Sequence, residues 1–145
     1  NFPVIFSTHP RTRKILESRK FKINPLVKLL KPLGFFDYNY LQINSKAVLS
    51  DSGTISEESS ILNFDAINIR EAHERPEAME EAVLIMTGLN PIRIIQALES
   101  LNFDKDLSHK NVYNVRDYTN SNVSAKVLKI IISYVDYINR VVWRK

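Results

Sequence analysis

The sequence predicts an α/β fold, a Rossmann-like parallel sheet with flanking helices, in one globular domain spanning all 145 residues. Three observations predict it. Short β-branched or apolar runs alternate with helical stretches, as βαβ units require. Two of the runs, Ala47-Val48-Leu49 and Val83-Leu84-Ile85-Met86, are continuously apolar, as parallel strands covered on both faces must be. A small-residue turn, Asp51-Ser52-Gly53, leads from one such run straight into a helical stretch.

Taken in order, the strands fall at Val4–Ser7, Val27–Leu30, Ala47–Ser50, Ala66–Ile69 and Ala82–Met86, with helices between and after them at about 11–20, 35–44, 54–62, 75–80 and 91–101. The third helix opens on Thr54-Ile55-Ser56-Glu57, which fits a capping box: the Thr54 hydroxyl bonds the amide three residues on and Glu57 reaches back. The fourth opens on Pro76, preorganised for a first helical position. Residues 102–118 read as a polar connector and 120–144 as a long last helix, capped by Asn120 or Ser121. Its apolar positions, from Val123 to Val142, cover more than a narrow stripe. Packing on its own sheet accounts for part of that face. At about 25 residues, or roughly 37 Å, the helix is longer than the domain needs, so its Val141-Val142-Trp143 end is expected on a partner. Right-handed crossovers put Ser7-Thr8-His9, Pro32–Tyr38, Ser50–Thr54 and Arg70–Arg75 at one sheet edge, where ligands of open α/β sheets bind.

Composition narrows the function classes. With 44% hydrophobic and 25% charged residues, the chain carries enough apolar surface for a core. It has no cysteine, which excludes disulfides, a thiolate nucleophile and a zinc-thiolate site, and His9, His73 and His109 are too scattered for a metal centre. No run of 18 apolar residues exists, so no membrane span is expected. Asn1 leads directly into a strand, without a signal-peptide n-region, and the missing Met suggests a piece of something longer. The net charge is +4, and residues 1–31 hold eight Lys or Arg against the single acid Glu17. Such a patch could attract nucleic acid, but no aromatic interleaving accompanies it, and a basic helix face is ordinarily just solvated.

The turn after Ala47–Ser50 has the makings of a phosphate site. A helix N-terminus offers free backbone N–H groups to an anion without any metal. Ser52 adds a hydroxyl donor, and Gly53 lets the anion approach the main chain. Glu58, about 100° around the helix from Glu57 and outside the capping box, can accept from the two hydroxyls of a ribose. Arg75 can supply charge for a diphosphate, or pair with Glu74 or Glu77 at the surface.

Asp51-Ser52-Gly53 with Glu57-Glu58, followed by Glu74-Arg75-Pro76-Glu77-Ala78, resembles the non-hydrolysing UDP-N-acetylglucosamine 2-epimerases, bacterial enzymes with the two-Rossmann-domain architecture of GT-B glycosyltransferases. The resemblance covers the chain as the second of the two domains and its returning terminal helix. By position it implies UDP phosphates on Ser52 and Gly53, the ribose on Glu58, and Arg75 steadying the leaving diphosphate. It puts the uracil within Pro32–Tyr38, with Tyr38 at the aromatic position and the backbone around Phe36 reading the base edge. Phe35 and Phe36 are equally readable as core residues. His9, in Ser7-Thr8-His9-Pro10, resembles the family's His-Pro turn near the cleft, and is equally readable as a plain turn residue.

The resemblance also implies a cytoplasmic enzyme, a homodimer at full length, needing no cofactor, whose substrate is a UDP-sugar. The acid and base carboxylates would lie in the first domain, leaving this chain alone inert. Thr54 stands where the pattern has a second glycine, and Arg70-Glu71-Ala72-His73 where it has an Asp-Thr-Thr lead. The whole string from Ile69 to Glu77, with the tail Tyr134–Trp143, looks more like the branch forming UDP-N-acetyl-L-fucosamine for capsule or O-antigen. The donor half of a GT-B glycosyltransferase and a basic nucleic-acid-binding module are the alternatives.

Overall fold

A computed structural model of the chain describes residues 2–72, 74–103 and 115–145. His73, His109 and most of the expected polar connector lie outside the described residues. The chain divides into two compact units, Asn1–Ser45 and Lys46–Lys145. Among the described residues the strand pairs are all parallel, as expected, with β-strands paired within each unit.

In the first unit β1 (Val4–Ser7) is followed by α1 (Pro10–Ser18), β2 (Val27–Leu30) and α2 (Phe35–Ile43). β1 and β2 pair in register from Val4 opposite Val27 to Ser7 opposite Leu30. The ladder runs one residue past β1, where the Thr8 N–H donates to the Leu30 carbonyl at 2.9 Å. Pro10 starts α1, and the helix stops two residues before the expected end because Lys20 turns left-handed, at φ 50°. α2 begins directly after Gly34, whose carbonyl accepts from the Tyr38 N–H at 2.9 Å.

In the second unit β3 (Val48–Ser50), α3 (Ile55–Leu62), β4 (Ala66–Asn68), α4 (Pro76–Glu80), β5 (Leu84–Met86) and α5 (Pro91–Phe103) alternate as the sequence predicts. The strands pair in the order β3-β4-β5. β4, the middle strand, is buried along its whole length, so it needs residues without exposed polar bulk, and Ala66-Ile67-Asn68 supplies them. Ile55, Ala66 and Leu84 form the core, with Val48 and Phe64 packed against it. β5 starts two residues later than expected because Ala82 is left-handed, at φ 52°, and closes α4. A 3-10 turn at Arg116–Thr119 then precedes α6 (Val123–Val141).

α6 departs from expectation in two ways. Its first cap is neither Asn120 nor Ser121 but Asn122, in the left-handed region at φ 60°, while the Asn120 side chain accepts from Lys126 Nζ at 2.9 Å. The expectation of partial packing on its own sheet also fails. No residue of α6 is buried, and Val127, Leu128, Ile130, Ile131 and Tyr134 all face solvent.

Candidate functional site at the carboxyl edge of the three-stranded sheet

The turns after β3, β4 and β5 leave from the same edge of the second unit's sheet, because all three strands run parallel. At the first turn, the Ser52 N–H donates to the Ser50 hydroxyl at 3.0 Å, and the hydroxyls of Ser52 and Thr54 lie 2.9 Å apart. Thr54 in turn donates from Oγ1 to Glu58 Oε1 at 2.7 Å. Ser52, Thr54 and Glu58 therefore form one hydrogen-bonded chain along the start of α3.

That chain replaces the expected capping box. A boxing N-cap is normally extended, but Thr54 is helical at φ −76°, ψ −8°, and its side chain makes no cap bond. Its hydroxyl reaches one turn up the helix to Glu58, which is thus engaged rather than left open by the cap. Glu57, read from the sequence as the reciprocal half of the box, faces elsewhere.

Glu57 Oε1 accepts from Arg75 Nε at 2.7 Å, an ion pair between residues 18 apart in sequence. The charge of Glu77, one of the two surface partners considered above, also acts on the guanidinium. Arg75 Nη1 donates to the Glu74 backbone carbonyl at 3.2 Å. The Glu57 hydrogen bond and charge together hold the guanidinium proton more firmly than usual.

Glu74 itself pairs with Arg70. The Arg70 hydrogen bond, reinforced by its charge, holds the Glu74 carboxyl below the usual carboxylate range. This pair lies over Gly53: a Cβ there would sit 2.9 Å from Glu74 Oε2 and 3.6 Å from Arg70 Nη1. Gly53 is therefore a point of close approach and not a left-handed turn, and the anion approaching it here is the protein's own carboxylate.

Three further residues at this edge had no signal in local sequence. Tyr118, in the 3-10 turn, donates its hydroxyl to Glu77 Oε1 at 2.8 Å, and the Val115 N–H donates to the Ser60 hydroxyl at 3.1 Å. Burial, with the Glu77 hydrogen bond behind it, pushes the Tyr118 phenol well above its ordinary value. Tyr118 stands 41 residues from Glu77, and Val115 is 55 from Ser60, beyond the reach of any motif. An open cleft of about 450 Å³ beside β5 and α5, lined by Met86, Arg93 and Gln96 among others, contains none of the candidate site residues.

His9, Phe36 and Tyr38 belong to the first unit. His9 caps α1, its Nδ1 accepting from the Arg11 N–H at 3.2 Å. Phe35 and Phe36 are not core residues. They are 75% and 84% exposed and meet edge to face at 5.5 Å, while Tyr38 is half-buried. Among the described residues no group of three or more acidic or histidine side chains is placed to hold a metal, and no helix is long and apolar enough to cross a membrane.

Parallel strands with a helix after each, and a serine-glycine turn closed over by an acid-arginine turn at their carboxyl edge, define an α/β domain of the Rossmann-like kind. A family model described as UDP-N-acetylglucosamine 2-epimerase matches residues 1–132, and the chain belongs to that family. A UDP-N-acetylglucosamine 2-epimerase of Methanocaldococcus jannaschii is 36% identical over 114 residues, covering 76% of this chain and 31% of the relative. The structure of the Rickettsia bellii UDP-N-acetylglucosamine 2-epimerase superposes with a TM-score of 0.80 at 47% identity, covering all of this chain and 40% of that one. The M. jannaschii enzyme in complex with UDP-GlcNAc and UDP superposes with a TM-score of 0.73 at 32% identity, over 89% of this chain and 35% of that one. The chain thus spans well under half the length of these relatives.

Proposed function

We propose that the chain is the UDP-binding part of an enzyme that inverts C2 of a UDP-N-acetylhexosamine. The observation that carries this reading is the closure of the β4–α4 turn on the β3–α3 turn, with Glu74 against Gly53 and Arg75 against Glu57. It brings helix-end amides and a guanidinium to one sheet edge, an arrangement suited to a diphosphate. The M. jannaschii relative solved with UDP-GlcNAc and UDP supports the choice of nucleotide.

In the proposed reaction the C1–O bond breaks, UDP leaves with the bonding pair, and the C2 proton is lost, giving a 2-acetamidoglycal. UDP then re-adds at C1 while a proton returns to the opposite face of C2. Ser52 and the amides at Gly53 bind the phosphates once Glu74 has swung aside, Glu58 accepts from the ribose hydroxyls, and Arg75 meets the charge that grows on the leaving diphosphate. The acid and base at C2 are assigned to the remainder of the enzyme, which is also the partner assigned to the open face of α6. The chain alone then binds UDP without turning over.

The finer reading, a UDP-N-acetyl-L-fucosamine-forming enzyme of capsule or O-antigen synthesis, rests on the string from Ile69 to Glu77 and the tail from Tyr134 to Trp143. Offering a full-length protein UDP-N-acetylglucosamine and UDP-N-acetyl-L-pneumosamine in parallel decides between the substrates. C2 inversion is the expected outcome, and glycosyl transfer without it refutes the epimerase reading. On this chain, an NMR titration with UDP should shift Ser52, Gly53, Glu58 and Arg75, and also reads Phe36 and Tyr38 in the first unit. Shifts confined to residues 11–31 would contradict the site.

A further inference from the structure

Glu57 has a second oxygen that the Arg75 pair does not explain. Oε2 is buried and has no hydrogen-bond partner among the described residues, whereas Oε1 takes the Arg75 Nε. An ordinary surface ion pair leaves its spare oxygen in water, because burying an unmet acceptor on a carboxylate is costly. Here the side chain is 29% exposed and its Arg75 partner 38%, so the carboxylate is pressed inward by what surrounds it.

Near it runs a strap, close enough for the Glu57 charge to act on Tyr118. The segment Val115–Tyr118 bonds Ser60, one turn beyond Glu57 on α3, and Glu77, two residues beyond Arg75 on α4. The same short segment therefore ties together the two helices that carry the pair. A carboxylate on Nε with a carbonyl on Nη1 fixes the plane of the guanidinium as well as its position.

We propose that Glu57 is a positioning residue that sets the Arg75 guanidinium for the leaving diphosphate, and that the Tyr118–Glu77 contact braces the helices that hold it. This rests on the role given to Arg75 above. Glu57 touches no part of the substrate and acts through Arg75. As an anion beside a diphosphate it opposes binding by charge alone, so its benefit must appear in turnover and not in affinity.

The test uses a full-length enzyme and compares Glu57→Ala, Glu57→Gln, Arg75→Ala, the Glu57→Ala/Arg75→Ala double variant and Tyr118→Phe, each shown to be folded at the assay temperature by far-UV circular dichroism. Glu57→Ala should lower kcat by about 10- to 100-fold, the scale of a displaced reacting group, while KM and UDP affinity stay within about threefold or improve. Glu57→Gln keeps an oxygen for Nε and should restore most of kcat, and Tyr118→Phe should show a smaller loss in kcat alone. In the double variant Glu57→Ala should add almost nothing to the Arg75→Ala loss.

If Glu57→Ala keeps wild-type kcat while Arg75→Ala does not, the positioning role is wrong and the role of Arg75 stands. Losses that multiply in the double variant overturn it equally. If Arg75→Ala keeps wild-type kcat, the functional reading itself fails and this inference falls with it. Should Glu57→Ala not fold, Glu57→Asp, one methylene too short to reach Nε, carries the same comparison.

Discussion

Truncating Ile55 should cost both stability and phosphate binding. Ile55 is the first residue of α3, two residues after the Ser52–Gly53 turn, completely buried, and packs with Ala66 and Leu84. Removing one methylene in Ile55→Val should destabilise by about 1 kcal/mol, and Ile55→Ala by about 2–5 kcal/mol, the loss growing with the cavity that the rigid strands cannot close. The second unit runs from Lys46 to Lys145. For a unit of roughly one hundred residues, with an unfolding entropy of about 2.1 cal/mol/K per residue, those losses correspond to melting shifts of about 5 °C and 10–25 °C. Calorimetry or far-UV circular dichroism on the chain measures the shifts. Calorimetric titration with pyrophosphate measures the second effect, because α3 then starts from a loosened footing. A shift below about 2 °C for Ile55→Ala would refute the core drawn here, and undiminished pyrophosphate binding in a destabilised variant would refute the link between that core and the turn.

Arg75→Lys in a full-length enzyme keeps the charge but loses the fork, so UDP-sugar should still bind while kcat falls by about 10²-fold, and a normal kcat in Arg75→Ala would show the arginine to be structural. Glu58→Gln should weaken UDP more than pyrophosphate in calorimetric titrations, because it removes a ribose acceptor and leaves the phosphate contacts; equal losses would count against that role. Tyr118 has a folded pKa above the free value of about 10, so its stabilisation is complete below pH 10 and is lost as pH rises beyond it. Denaturant midpoints between pH 8 and 11 should therefore fall more steeply for the wild type than for Tyr118→Phe, and parallel curves would remove Tyr118 as the cause.

Sequence and structure agree best where one local force decides. β1 and β2 occupy the expected residues because their apolar runs have no rival conformation, and α4 starts at Pro76 because proline suits a first helical position. Agreement fails where a residue has two partners to choose from. The Thr54 hydroxyl can reach a backbone amide or the Glu58 carboxylate, and the same letters permit both; the helical backbone of Thr54 decides for Glu58. Glu57 accordingly leaves the expected capping box and faces Arg75. The turns at Ser52–Gly53 and Arg75 were legible because strand order fixes which ends share an edge. Tyr118 was not, since its contact with Glu77 depends on where a distant segment returns.

The bare apolar surface of α6 bears on how the chain behaves in a tube. With Val127, Leu128, Ile130, Ile131 and Ile132 all in water, the molecules are kept apart mainly by their like charge of +4. That charge falls to zero at the isoelectric point of about 9.3, inside the alkaline range that the Tyr118 measurement must cross. Sulfate would worsen matters by strengthening apolar contacts, and warming does the same over the ordinary laboratory range. Turbidity at high pH would therefore report colloidal association and not unfolding, and the midpoints are best taken at low protein concentration in chloride.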